Sequence, residues 1–227
     1  GVPFNTDVAW RVVVEDGGSV TDGPDYSTGN LDNGVPRPDV LVSKPSEWLP
    51  EGNFLLSTIN EQTGGWTGGD YWTFILDRKG RYVWAHKAPD RNWSLFAQTS
   101  LDGCHLLWDE STLWSQWDDG ASSTIHRTYL DEEVEQYNTP GLHHAWVQID
   151  DDNIAWGSQD HGGKEALVES EWDSNSEHIM WTCQDDWQGS GNCESNGLFY
   201  QESTESFLYS FYTNNSMVEV DRFNGTG

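Results

Sequence analysis

A short strand-forming motif recurs at nearly constant spacing, and this repeat limits the possible folds more than any other feature of the chain. Each copy has a turn residue followed by three or four strand-forming residues, and successive copies are 51, 49 and 53 residues apart. A period near 50 residues made of short antiparallel strands is typical of β-propeller blades. The copies are "GNFLLS" at 52–57, "GCHLLW" at 103–108, "DNIAWG" at 152–157 and "ESFLYS" at 205–210.

The residues around each copy favour an all-β fold. Each motif leads through a loop into a second strand and an acidic or glycine turn, as in "WTFILDRKGRYVW" at 72–84. Apolar and polar residues alternate, and no segment of useful length has a helical period. We therefore predict a β-propeller over 38–227, with about four blades present and helices nearly absent. A β-sandwich with accidental periodicity is the alternative, and the four near-constant intervals weigh against it.

The two ends of the chain differ from the repeats. "TDVAWRVVVEDGGSV" at 6–20 predicts an alternating strand and a glycine turn, and the following residues predict an edge strand and a linker rich in Pro and Gly. We interpret 1–37 as the last strands of a β-sandwich plus a linker. The final repeat stops after "DRFNGTG", so we expect an incomplete blade. Open blade edges recruit other strands, which predicts that further blades come from the same protein or from a partner chain.

Composition narrows the classes of partner. The chain has 38 acidic against 11 basic residues, a formal net charge of -27, and no basic patch with interleaved aromatics. Nucleic acid and anionic membrane surfaces are poor partners for such a field. No run of 18 apolar residues predicts a membrane span. Because only 35% of residues are hydrophobic, the 14 tryptophans must provide much of the core.

Three cysteines indicate the compartment. Cys183 and Cys193 enclose nine residues rich in Gly and Asp, a loop that a disulfide would hold closed, whereas a zinc site would need more ligands at tighter spacing. We predict a Cys183–Cys193 disulfide with Cys104 outside it. A disulfide indicates an oxidising location: secreted, periplasmic or on the cell surface. N-glycosylation sequons are compatible with that location; they lie at Asn92, Asn214 and Asn224.

The order of three segments resembles the arylsulfotransferase-type β-propeller family, most closely its secreted bacterial members. They are "FILDRKGRYVW" at 74–84, "GLHHAWVQIDDDNIAW" at 141–156 and the stretch from "CESNGLF" at 193–199 to the end. The resemblance covers most of the chain from Leu41 onward, and the N-terminal strands are similar to the end of the fibronectin-like sandwich that precedes such propellers. It implies six blades and transfer of a sulfuryl group between phenols through a histidine in the central channel.

Carried onto this chain, the resemblance assigns catalytic candidates at the starts of two blades. They are His143 or His144 in one blade and Asn196 in another. Where family enzymes place a histidine two residues before this asparagine, the chain has Glu194. A carboxylate there repels a sulfate ester and should favour a protonated neighbouring histidine. The competing hypothesis is therefore a non-catalytic propeller that binds ligands or acts as a scaffold.

Further predictions concern the surroundings of these residues. Adjacent residues in a strand point to opposite faces, so at most one of His143 and His144 is expected to be functional, and the other to pack between blades with a hydrogen bond to backbone. Glu194, Arg127 and Trp66 are candidate substrate-binding residues, although Arg127 and Arg222 lie in strands that suggest exposed positions. No cofactor is required. The acidic turns at 150–153 and 184–187 could bind Ca²⁺ or be simply solvated.

Overall fold

The computed structural model describes residues 3–13, 20–48, 54–60, 69–89, 92–112, 123–129, 133–174 and 176–225. The chain divides into two compact units, Gly1–Lys87 and Ala88–Gly227. This division groups the first sheet of the repeat region with the N-terminal residues, whereas the predicted domain boundary followed residue 37.

The first unit contains short pairs of strands and one three-stranded sheet. β1 (Asp7–Val8) pairs with β4 (Tyr26–Ser27), and β2 (Arg11–Val13) pairs with β3 (Val20–Asp22), all antiparallel. These pairings agree with the predicted strand and edge strand, and the predicted glycine turn lies outside the described residues. A 3-10 turn follows at Pro45–Glu47. Sheet 1 has the order β5 (Phe54–Asn60), β6 (Tyr71–Asp77) and β7 (Tyr82–Lys87).

The core of the first unit is built mainly from sheet 1. Aromatic and aliphatic side chains of β6 and β7 pack with Val35 of the N-terminal segment. The backbone N–H of Phe4 donates to the carbonyl of Tyr82 at 3.1 Å, which ties that segment to β7. The buried members of this cluster are Val35, Trp72, Phe74, Leu76 and Tyr82.

The second unit contains three consecutive antiparallel sheets. Sheet 2 is formed by β8 (Asn92–Trp93), β9 (Ala97–Thr99), β10 (Leu106–Thr112), β11 (Ser123–Thr128) and β12 (Val134–Asn138). Sheet 3 has β13 (Leu142–Gln148), β14 (Asn153–Ser158), β15 (Ala166–Glu171) and β16 (Ser176–Thr182) in sequence order. Sheet 4 has β17 (Ser195–Gln201), β18 (Ser206–Phe211) and β19 (Ser216–Asp221). A single helical turn, α1 (Cys183–Asp186), joins sheets 3 and 4.

Sheet 3 has an apolar side chain on each face of its strands, which lets it pack between two neighbours. On β14, Ile154 and Trp156 belong to a cluster shared with sheet 2, while Ala155 belongs to a cluster shared with sheet 4. This is the period of two expected for a strand buried on both sides. Trp156 is fully buried. At about 25 cal/mol per Å² and 150–250 Å² per ring, such a side chain contributes about 4–6 kcal/mol of burial free energy.

The four repeated motifs form β5, β10, β14 and β18, and each lies in a different sheet. A single continuous sheet containing all four would have contradicted the propeller prediction. The prediction of an all-β chain with several antiparallel sheets and almost no helix is therefore confirmed for the described residues.

Candidate functional site

The two adjacent histidines lie at an irregular point of β13. The pairing of β13 with β14 shifts register between Leu142 and Trp146, and His144 has a left-handed φ of 61°. As a result the imidazoles of His143 and His144 stack, with ring centroids 4.0 Å apart and an interplanar angle of 28°. The expectation that they point to opposite faces of the strand was wrong, because the bulge and the positive φ break the alternation that a regular strand imposes.

His143 links two strands of neighbouring sheets. Its side chain is buried, and Nδ1 lies 2.8 Å from the carbonyl oxygen of Ser195 at the start of β17. A carbonyl only accepts, so Nδ1 carries the proton. Burial lowers the pKa of His143, and the bond to Ser195 opposes that effect. This residue has the structural role expected of one member of the pair, packed between sheets and bonded to backbone.

His144 is the member of the pair that meets the other candidate residues. Burial and the neighbouring His143 lower the pKa of His144 to about 4, while a hydrogen bond with Asn196 and the charge of Glu194 raise it. Glu194 raises the pKa of His144, as predicted, but the free-energy cost of burying a charged imidazole lowers that pKa by more. The His144 imidazole is therefore neutral at pH 7. Trp93 from β8 packs against it in an edge-to-face arrangement, with ring centroids 5.9 Å apart.

Asn196 and Glu194 come to His144 from the beginning of β17. Asn196 is exposed, Glu194 is half-buried, and the Ser195 between them is buried. The structure thus brings together three of the predicted site residues and adds Trp93 and Ser195, from three successive sheets. We call His144, Asn196, Glu194 and Trp93 the His144 site. The catalytic role assigned to His143, His144 and Asn196 stays a prediction.

Arg127 lies elsewhere and is engaged with other partners. Its guanidinium, on β11, is within 2.6 Å of the carboxylate of Glu135 and stacks 4.4 Å above the ring of Trp172. Its side chain is only 15% exposed, and that of Arg222 is 17% exposed and bonded to Glu169. The expectation that these arginines are exposed was wrong, and these contacts give no support to a substrate-binding role for Arg127. Trp66 lies outside the described residues.

The predicted disulfide is present. Cys183 and Cys193 are bridged with their Cα atoms 5.8 Å apart, and Cys104 is free and exposed. The backbone N–H of Cys193 donates to the Glu165 carboxylate at 2.8 Å. The bridge therefore holds the loop that leads directly into Glu194 and the start of β17.

The acidic turns use their oxygens within the protein. In the 150–153 turn, one carboxylate oxygen of Asp150 accepts from the N–H of Asp152 at 3.0 Å and that of Asn153 at 2.8 Å. In the second turn the carboxylate of Asp186 accepts from the N–H of Thr182 at 2.7 Å. Within the described part of the chain, one cluster has three metal-binding side chains close enough to share an ion. It consists of Glu165 and the disulfide cysteines Cys183 and Cys193. Calcium binding stays a prediction.

Sequence reasoning missed Trp93 and Ser195, although the repeat contained a signal for them. Trp93 precedes His144 by 51 residues, and Ser195 follows His144 by 51 residues, which is one repeat period in each direction. Residues one period apart occupy equivalent places in successive sheets, where the first strands lie side by side. Searching one period from each candidate residue would have found both.

Comparisons with known proteins support the fold and leave the function open. No family model matches the chain, and no curated protein matches it. Among solved structures the chain is similar to TolB from Acinetobacter baumannii, at 15% identity and a TM-score of 0.51. The similarity covers 76% of this chain and 40% of the TolB chain. TolB contains a β-propeller. The chain therefore has a β-propeller-like fold.

The resemblance to arylsulfotransferases has no support in the comparisons and remains a hypothesis. In the described part of the chain no helix has the length and apolar character needed to cross a membrane.

The neutral state of His144 makes the stability of the protein depend on pH. Its pKa is about 4 in the folded state against 6.5 ordinarily, so between these values the unfolded chain binds the proton more tightly. The stabilisation is full above pH 6.5 and is lost as the pH falls towards 4. We expect urea denaturation at pH 7 and 4.5 to show on the order of 1–2 kcal/mol more acid destabilisation in the wild type than in His144→Asn.

A control for this measurement is His178→Asn, which removes an exposed imidazole from β16. Because this variant leaves His144 unchanged, it should keep the acid destabilisation assigned to His144. Equal acid destabilisation of the wild type and His144→Asn would contradict the assignment of the pH effect to His144.

Proposed function

We propose that the chain forms part of a secreted or cell-surface β-propeller that binds a small phenolic ligand at the His144 site. The observation that supports this most directly is the grouping of a neutral imidazole, a carboxylate and an exposed amide at the adjoining first strands of two sheets. A phenol hydroxyl can donate to the Glu194 carboxylate, and the Asn196 amide can both donate and accept. Convergent polar groups at the inner strands of a propeller are a usual place for ligands.

Electrostatics favour a neutral phenol over its sulfate ester. With the histidines neutral, Glu194 leaves a net negative charge at the site, within a chain of formal net charge -27. Arg127 and Arg222 are paired with Glu135 and Glu169. An incoming sulfate therefore meets a carboxylate without a compensating cation from these two arginines, which costs binding free energy.

Sulfuryl transfer is the second candidate function, as the family resemblance implies. The observation that favours it is the neutral imidazole of His144, because an unprotonated nitrogen is nucleophilic at pH 7. In this reaction the imidazole nitrogen would bond to sulfur as the sulfur–oxygen bond to the aryl group breaks, and the aryloxide would leave and take a proton from water. A second phenol would then give its proton to water as its oxygen bonds to sulfur and the nitrogen–sulfur bond breaks, which returns the imidazole to its neutral form. The Asn196 amide could donate to a sulfuryl oxygen.

The proposed architecture is a propeller of six blades. The four sheets are taken as blades, and the total of six with a preceding fibronectin-like sandwich rests on the family resemblance. The outward face of sheet 4 carries Phe199 and Met217, which are 59% and 63% exposed. An apolar face of this kind suits a further blade, from the same protein or a partner chain.

The disulfide and the sequons support an oxidising, extracytoplasmic location.

Binding of two matched compounds tests the first proposal. We expect calorimetry at pH 7 to show that 4-methylphenol binds at least about tenfold more tightly than 4-methylphenyl sulfate, which has the same ring and an added negative charge. Glu194→Gln should reduce this preference, because it removes the repelling charge while keeping a similar shape. The control is Glu202→Gln, which makes the same change in the turn at the opposite end of β17. Equal binding of the two compounds, or binding of neither, would overturn the proposal.

Turnover tests the second candidate. Release of 4-nitrophenol from 4-nitrophenyl sulfate in the presence of 4-methylphenol should be measurable, and His144→Ala should abolish it. His178→Ala, at an exposed histidine, should leave it unchanged. Absence of turnover between pH 5 and 9 would leave the binding function alone.

A further inference from the structure

Asp109 is a buried carboxyl group in the middle of β10, near the His144 site but without a role in the functions proposed above. Its side chain is 2% exposed. Its Oδ1 accepts from the backbone N–H of Leu95 at 3.1 Å and from that of Phe96 at 2.6 Å. Its own N–H donates to the carbonyl of Phe96 at 3.2 Å. The residue therefore holds one short segment of backbone through three bonds.

That segment is the interruption between β8 and β9. β8 pairs with β10 at Ser111 and Thr112, and β9 pairs with β10 at 106–108. Residues 94–96 between them bulge away from the regular pairing. The Asp109 carboxyl group accepts hydrogen bonds that a regular partner strand would accept there, and so fixes the shape of the bulge.

The bulge places one aromatic ring at each end against β13. Trp93 contacts His144, with centroids 5.9 Å apart, and Phe96 contacts Trp146, with centroids 5.3 Å apart. Between Leu142 and Trp146, the segment that contains His144, β13 is itself irregular. The irregular segments of sheet 2 and β13 thus face each other. The segment at 94–96, which lies next to Trp93, is held by Asp109.

We propose that Asp109 is a positioning residue for the His144 site, which holds the 94–96 bulge and thereby keeps Trp93 against His144. This rests on the proposed ligand binding at His144 and adds to it a residue that controls the geometry. Asp109 does not touch the ligand. It acts through the backbone of Leu95 and Phe96 and the ring of Trp93.

The same carboxyl group makes this geometry sensitive to pH. Burial raises the pKa of Asp109 to about 7, against the opposing effect of the Phe96 and Leu95 N–H bonds. A protonated carboxyl accepts these bonds more weakly than a carboxylate. Among the described residues on the elements packed against this face, the titratable groups are Arg127 with Glu135 and Asp173, Tyr137 on β12, and His143 and His144 on β13. Arg127 and Glu135 form an ion pair, and the Tyr137 hydroxyl bonds to Ser170.

Two variants separate the geometry of Asp109 from its charge. Asp109→Asn keeps an oxygen that can accept both N–H bonds but does not titrate. Asp109→Leu has similar size and accepts no hydrogen bond. The readouts are the ring-proton resonance of His144 by NMR, assigned by its absence in His144→Asn, and calorimetric binding of 4-methylphenol between pH 6 and 8.

In the wild type, we expect the His144 resonance to shift with a midpoint near pH 7. The affinity for 4-methylphenol should fall about threefold as the pH decreases from 8 to 6, because protonated Asp109 accepts its hydrogen bonds more weakly. Asp109→Asn should remove both changes. Asp109→Leu should displace the resonance at all pH values and lower the affinity about tenfold. If Asp109→Leu does not fold, the comparison of Asp109→Asn with the wild type still decides.

The outcomes that would overturn the proposal are a His144 resonance that titrates alike in the wild type and Asp109→Asn, or one that Asp109→Leu leaves unmoved. If 4-methylphenol does not bind the wild type, the proposed function fails. The His144 resonance then still decides the positioning role of Asp109, because it requires no ligand.

Discussion

Replacing Gly141 by alanine should destabilise the protein by about 3 kcal/mol or more, through backbone strain of about 1 kcal/mol and steric overlap of about 2 kcal/mol. Gly141 precedes the β13 bulge and has a φ of 68°. A Cβ atom there would lie 2.4 Å from Ser158 Oγ, 2.7 Å from the Asp160 nitrogen and 2.8 Å from its carbonyl oxygen. Two of these are backbone atoms of Asp160, shortly after β14, so they cannot turn away as a side chain would.

Gly103→Ala separates backbone strain from steric overlap. Gly103 has a φ of 70°, but its Cβ would have nothing within 4 Å. This variant should lose only the conformational part, about 1 kcal/mol. Urea denaturation at pH 7 measures the free energy of unfolding of both variants. Equal destabilisation by the two substitutions would contradict the steric argument. We also expect Gly141→Ala, but not Gly103→Ala, to shift the NMR signal of the His144 ring.

Removing the disulfide should cost about 2–4 kcal/mol, measured by urea denaturation of a variant in which both Cys183 and Cys193 are serine. The bridge closes a loop across a sequence separation of 10, and its loss frees that loop in the unfolded chain. Cys193 is fully buried in the cluster between sheets 3 and 4, so the substitution also weakens packing beside Glu194. Binding of 4-methylphenol should weaken in parallel.

The control for the disulfide is Cys104→Ser, a change at an exposed free thiol. It should alter stability by less than about 0.5 kcal/mol. Reduction of the wild type with dithiothreitol should reproduce the effect of the double substitution. A double variant as stable as the wild type would mean that packing of the loop, not the covalent bond, holds the start of β17.

The strands could be predicted from the sequence because their signals are local. The alternation around Trp156 and the turns that bound each motif place β5, β10, β14 and β18 where the structure has them. The disulfide followed from two cysteines on either side of a glycine-rich loop. Each of these inferences needs only residues that are near one another in the chain.

The site was harder to predict because its contacts are between residues far apart in sequence. His143 meets Ser195 across 52 positions, and the stacked histidines depend on a left-handed residue that is not glycine. A side chain in that conformation is uncommon, and no local pattern announces it. The partners of Arg127 are likewise set by the pairing of β11 with β12 and by Trp172 of sheet 3.

By itself, then, the sequence determined the class of fold, the repeat, the disulfide and the neighbourhood of His144, Asn196 and Glu194. The tertiary structure decided that the His144 imidazole is neutral at pH 7. It also decided that Asp109 is buried beside the segment that carries Trp93 against His144. The physical reason is that burial and charge are properties of the packed sheets: the same carboxylate or imidazole titrates differently once neighbouring strands remove water from it.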